Sequence, residues 1–113
     1  MKKYTEERPW GKFERFTDNE ESTVKIITVN AGEEFSLQYH KNRDEFWRIL
    51  EGEASVVVGE KKISAKQGDE FYIKAGDHHR LRALLGPVVF LEISFGRFDE
   101  NDIVRLEDKY GRK

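Results

Sequence analysis

The chain of 113 residues carries 20 basic and 22 acidic side chains, a formal net charge of −2, and lacks the cationic excess that would argue for nucleic acid as a partner. The absence of cysteine excludes thiolate-held zinc, disulfide frameworks and cysteine nucleophiles, leaving histidine, carboxylate and amide as the donors of any tight metal site. The length suits one domain over 1–113, and Lys2 and Lys3 are followed neither by an apolar leader nor by a membrane-spanning run; a soluble, cytoplasmic chain without a membrane partner is expected.

Strand signals recur along the chain and no segment reads as a helix. β-Branched and aromatic runs occupy 23–29, 35–40, 45–50, 54–58, 61–65, 70–74, 79–84 and 88–95. Each is bounded by turn residues, among them Asn30-Ala31-Gly32, Glu51-Gly52-Glu53, Gly59-Glu60, Gln67-Gly68-Asp69 and Ala75-Gly76-Asp77. Short strands at this regular spacing predict an all-β fold, a sandwich or barrel of jelly-roll type.

Alternation places chemistry on one face. Side chains two apart in a strand share a face roughly 6.6 Å apart, so Gln38 and His40 can converge on one ion while Phe35, Leu37 and Tyr39 point the other way. Glu45 opens the next strand with Trp47 and Ile49 on its side, leaving Phe46, Arg48 and Leu50 outward or in a second layer. His79 shares a face with Leu81 and Ala83, which makes it a better ligand than His78. A histidine and a glutamate brought together in an apolar lumen need compensation, and a divalent cation supplies it. The predicted site is therefore a mononuclear metal centre of Gln38, His40, Glu45 and His79 inside a β-barrel.

The spacing Gly32-x5-Gln38-x-His40-x4-Glu45-x6-Gly52 resembles the first motif of the cupin superfamily, and Gly68-x5-Lys74-x-Gly76-x2-His79 resembles the second. Gln38 stands where many cupins have a histidine, and Lys74 where a proline is usual. Within that superfamily, Ser36-Leu37-Gln38-Tyr39-His40-x2-Arg43-x-Glu45-x-Trp47 is similar to type II mannose-6-phosphate isomerases, including the C-terminal domain of bifunctional guanylyltransferase-isomerases. Arg8-Pro9-Trp10-Gly11-Lys12-Phe13 and Glu100-x-Asp102-Ile103-Val104-Arg105-x-Glu107-Asp108-x-Tyr110-Gly111-Arg112 extend the likeness to both ends. Ser94 departs from it, standing where a glutamine is expected. The resemblance implies a cupin double-stranded β-helix barrel, one divalent metal ion (Zn, Mn, Co, Ni or Fe), and interconversion of mannose 6-phosphate and fructose 6-phosphate. The glycine-rich phosphate loop of the nucleotidyltransferase half has no counterpart in these residues, so a stand-alone cupin without nucleotide chemistry is expected.

Such an isomerisation moves a proton between C1 and C2 through an enediol and needs a base of near-neutral pKa. Glu92, His78 and a metal-bound hydroxide all stand open for that role. The phosphate of the small phosphorylated sugar calls for guanidinium or ammonium groups: Arg43, lying between two ligands, then Arg112, Arg8 and Lys74. Trp47, on the face of Glu45, is expected at the pocket wall. Two other readings compete: an iron-dependent dioxygenase built on His40, Glu45 and His79, and a non-catalytic sugar-binding module. Exposed sheet edges predict a C2 homodimer in which an N-terminal or central strand extends the partner's sheet.

Overall fold

Alternating apolar residues bounded by turns give eleven antiparallel strands in the computed structural model, which describes residues 2–112. They are β1 (Tyr4–Arg8), β2 (Gly11–Arg15), β3 (Ser22–Val29), β4 (Leu37–Tyr39), β5 (Glu45–Glu51), β6 (Ala54–Val58), β7 (Lys61–Ala65), β8 (Glu70–Ile73), β9 (His79–Ala83), β10 (Val88–Phe95) and β11 (Val104–Glu107). No helix occurs among the described residues, so none is long and apolar enough to cross a membrane.

Two sheets enclose the core. One runs β3-β10-β5-β8 and the other β11-β4-β9-β6-β7. The first contributes Val29, Trp47, Ile49, Ile73, Val88 and Phe90, and the second Ala54, Val56, Ala65, Leu81 and Ala83. Side chains pointing out of this layer are polar in β9, where His79, Leu81 and Ala83 are buried and Arg82 is exposed, whereas β3 of the other sheet exposes Val24 and Ile26. Trp47 forms the centre of the core with its ring 4.9 Å from Phe90.

All eight predicted runs contain strands, and the differences lie at their ends and at the termini. β4 is three residues long rather than six, because Phe35, Ser36 and His40 lie outside the ladder. Phe35 consequently turns into the lumen, against Trp47 at 5.8 Å and Phe90 at 6.3 Å, on the side opposite to that predicted by alternation. Phe46 lies in a second layer beneath Phe16, with ring centroids 5.1 Å apart.

Three strands were not predicted. β1 and β2 form a hairpin that pairs only with itself. Its residues are too charged to read as strands, and its cross-strand contacts are cationic on aromatic: Arg15 over Tyr4 at 4.6 Å and Arg8 over Phe13 at 5.5 Å. The third is β11, where charges alternate with Val104 and Leu106. Its partner is β4, far away in the sequence, which places the C-terminal motif beside the predicted ligands.

The β5–β6 corner packs closely against the start of β10. Gly52 has φ of 92°, and a Cβ there would lie 2.4 Å from the Pro87 carbonyl oxygen. At Gly59, with φ of 61°, nothing lies within 4 Å. Gly52→Ala is expected to cost about 2–4 kcal/mol of unfolding free energy and Gly59→Ala about 1 kcal/mol, from backbone strain alone. Urea unfolding followed by tryptophan fluorescence measures both, and equal losses would remove the weight given to the Pro87 contact.

Candidate metal centre

Three strand ends deliver the donors. His40 directly follows β4, Glu45 opens β5 and His79 opens β9, all of them buried. One ligand atom from each lies within 4.8 Å of the others. Glu45 is the bridge, with Oε2 3.5 Å from His40 Nε2 and Oε1 3.8 Å from His79 Nε2.

The outer edges of both imidazoles are held by main-chain carbonyls. His40 Nδ1 lies 2.6 Å from the Asp102 carbonyl and His79 Nδ1 lies 2.9 Å from that of Asp77. A carbonyl only accepts, so each Nδ1 carries the proton and each Nε2 presents a lone pair to Glu45. Burial pushes both imidazoles below the usual histidine range, favouring the neutral form that ligates a metal. His79 Nε2 has no hydrogen-bond partner although it is shielded from water. Two neutral imidazoles, a carboxylate and an orphaned inward nitrogen fit a divalent ion.

Arg43 complicates the predicted compensation of Glu45. Its guanidinium is itself buried, donating from Nε to Glu45 Oε2 at 3.0 Å and placing Nη2 3.3 Å from His40 Nε2. The buried carboxylate is therefore paired within the protein, and a metal ion would have to displace the contact between Arg43 and His40. The remaining contacts of Arg43, from Nη1 to the Asp99 and Asp102 carbonyls at 3.0 and 3.5 Å and stacking on Phe98 at 4.7 Å, do not involve that nitrogen. Ser94 Oγ donates to Glu45 Oε2 at 3.3 Å, and Trp47 Nε1 donates to Glu45 Oε1 at the same distance.

Gln38 lies beside the three donors. Its Oε1 accepts from Ser36 Oγ at 2.6 Å, and its Nε2 lies 3.5 Å from His40 Nε2. An amide nitrogen does not ligate a metal. A half-turn of the amide exchanges the two atoms, presenting the oxygen to the cluster while Ser36 accepts from the NH2 group.

A cavity of about 710 Å³ opens onto His40 and Glu45, with Gln38, Arg43 and Glu92 also in its walls, while His79 does not line it. Glu92 is buried; burial first, then the Glu45 carboxylate, push it up to about 7 against the opposing charges of Lys25 and Arg43. Arg112 also reaches the cavity, held by Asp108 at 2.8 Å. The other predicted residues lie elsewhere. Trp47 is fully buried behind Glu45 and edge-on to His79, so it backs the ligands rather than forming a wall. His78 is exposed immediately before β9 and stacks on Tyr39, with ring centroids 5.3 Å apart. Lys74 is exposed in the turn after β8, and Arg8 is exposed in the hairpin, bonded to Glu6. Neither lines the cavity, because the first is turned out by the Lys74 to Asp77 turn and the second belongs to a hairpin outside both sheets.

Asp102 went unassigned in the sequence. Its carboxylate accepts from the main-chain nitrogens of Lys41 and Asn42 at 2.8 and 3.0 Å, while its carbonyl holds His40. It lies 62 residues from His40, so only its place in the terminal motif could have marked it.

Residues 2–108 match the family described as mannose-6-phosphate isomerase C-terminal. The chain belongs to this family. The xanthan biosynthesis protein XanB of Xanthomonas campestris and the mannose-1-phosphate guanylyltransferase ManC of Salmonella typhimurium are each 39% identical to it over 108 residues. These matches cover 93% of the chain but only 23% and 22% of the relatives, so the chain spans less than a quarter of their length. A cupin protein from Bacteroides fragilis superposes with a TM-score of 0.61 over 69% of this chain and 70% of its own, at 26% identity. Oxalate decarboxylase from Bacillus subtilis does so with a TM-score of 0.70 over 77% of this chain and 24% of its own, at 25% identity. The fold is an all-β cupin barrel.

In this cupin, reloading with a divalent ion is expected to give one ion per chain by elemental analysis. His40→Ala and His79→Ala should each weaken metal affinity more than about a hundredfold, Gln38→Ala less, and His78→Ala not at all. Equal losses for His78→Ala and His79→Ala would contradict the exposure of the first ring and the burial of the second.

Glu92 generates a pH prediction for the chelated protein. Its folded pKa of about 7 exceeds the ordinary value of 4.5, so its contribution is full below about pH 4.5 and falls as pH rises through 7. Glu92→Gln should gain on the parent by on the order of 2–3 kcal/mol between pH 4.5 and 8. Thermal melts across that range check it, and parallel curves would refute the shift.

Proposed function

We propose that this cupin is a metal-dependent sugar-phosphate isomerase interconverting mannose 6-phosphate and fructose 6-phosphate. The observation that carries the reading is the buried His40, Glu45 and His79 set, with both Nε2 lone pairs turned inward, at a cavity that also exposes the Glu92 carboxyl. Membership of the isomerase C-terminal family supports it.

His40, Glu45 and His79 would hold the ion, with Gln38 as a weaker fourth donor. When bound, the ion supplies a Lewis acid for the negative charge that grows on the C1 and C2 oxygens during enediol formation. Glu92 is the carboxyl suited to move the proton, since an environment that raises its pKa to about 7 leaves both protonation states accessible near neutral pH. Trp47 and Phe90, packed against each other behind the donors, exclude water from the back of the site. Asp102 orients His40 from outside the cavity.

A second reading, a non-catalytic sugar-binding module, is favoured by Arg43, which already satisfies Glu45 and faces the lone pair of His40. One assay separates the readings. Mannose 6-phosphate with a divalent ion should yield fructose 6-phosphate and exchange the C2 proton with solvent, without oxygen uptake. Chelation should abolish both signals, and Glu92→Gln should lower kcat by about a hundredfold or more with metal content retained. Oxygen consumption would point instead to a dioxygenase. Fully metal-loaded protein giving neither product nor exchange on any hexose or pentose phosphate would leave the binding module.

A further inference from the structure

Among the described residues, two buried side-chain nitrogens lack a hydrogen-bond partner: His79 Nε2 and Arg105 Nε. A divalent ion held by His40, Glu45 and His79 would account for the first. The second lies on β11, opposite Gln38 in the ladder, and residues directly opposite in an antiparallel pair share a face. Arg105 therefore projects to the same side as Gln38, and both line the cavity.

The other cations of the cavity are engaged. Arg43 is bonded to Glu45, Arg112 is held by both carboxylate oxygens of Asp108, and Lys25 sits 4.2 Å over the ring of Phe98. Arg105 makes no ion pair with any described carboxylate. A half-buried guanidinium with an unused donor is an unusual arrangement, since buried polar groups are nearly always satisfied. Its planar fork suits two oxygens of a phosphate. We propose that Arg105 is the anion anchor of this cavity and receives the phosphate group of a phosphorylated ligand.

The location separates two ends of the pocket. Glu45 and Glu92 make the metal end rich in carboxylates, which disfavours a dianion there. Paired strand positions lie roughly 5 Å apart at Cβ, and the arginine stem adds its own length, so the guanidinium can stand away from the donors. A linear hexose 6-phosphate likewise carries its phosphate four carbons beyond C2. That the anion is a sugar phosphate rests on the isomerase reading; that Arg105 anchors an anion does not. Arg43, which the sequence singled out for phosphate, becomes a positioning residue for Glu45 and His40.

The test uses inorganic phosphate as the first probe and mannose 6-phosphate against unphosphorylated mannose as the second, on the metal-loaded protein, by calorimetry. Arg105→Gln should weaken inorganic phosphate by about tenfold or more and raise KM for mannose 6-phosphate similarly. Arg105→Lys should recover part of both losses, and mannose should bind equally to all variants. Arg82→Gln, on the exposed outer face of β9, serves as the charge-matched control and should change nothing. Metal content and the thermal midpoint of Arg105→Gln report whether β11 remains in place, and Arg105→Lys keeps the assay decisive if it does not. Phosphate binding that is absent in the parent, or unaltered in both Arg105 variants, would overturn the anchor even if the enzyme turns over. Phosphate binding lost in Arg105→Gln without turnover of any sugar phosphate would uphold the anchor and remove the isomerase reading.

Discussion

Glu45 is a carboxylate removed from water between two imidazoles, and most of the interior around the site follows from keeping it there. An unpaired buried carboxylate costs several kcal/mol or takes up a proton. Glu45 is instead satisfied by the Arg43 guanidinium, the Ser94 hydroxyl and the Trp47 indole, while the two Nε2 lone pairs beside it give it nothing. The imidazoles cannot help by ionising, because burial holds them neutral. Two kinds of positive charge can then satisfy the carboxylate, the Arg43 guanidinium and a divalent ion, and they compete for the lone pair of His40. That competition gives the site a physical basis for coupling metal binding to the position of Arg43.

The segment after β10 is the second half of this arrangement. Asp99 and Asp102 hold Arg43 and His40 through their carbonyls, Phe98 stacks on Arg43 and Lys25, and β11 brings Arg105 to the cavity. The Asp102 carboxylate also clamps the main chain at Lys41 and Asn42, and that corner carries the chain from His40 to Glu45. Metal donors from the first half of the chain are thus oriented by residues from its last fifteen. Changes in this C-terminal segment would be felt at the metal before they were felt in the core.

Much of this was legible in the sequence. Turn residues marked the eight central strands, and the two-residue period put Glu45, Trp47 and Ile49 on one face and His79, Leu81 and Ala83 on another, as their burial bears out. The same period separated His79 from His78. It failed at Phe35, where the strand is interrupted and alternation has no hold, and at β1, β2 and β11, whose charged residues conceal their pairing.

What the sequence determined by itself was local: strand spacing, the facing of side chains, and a donor set limited to histidine, carboxylate and amide by the absence of cysteine. Which cation meets which carboxylate was decided only by the tertiary structure. Arg43 was drawn to Glu45, Lys74 and Arg8 were left outside the cavity, and Arg105 was brought into it without a partner. The physical reason is that periodicity sets the direction of a side chain relative to its own strand, whereas an ion pair depends on which distant strand lies alongside. For Arg105 that neighbour is β4, reached only when the chain's end closes the five-stranded sheet.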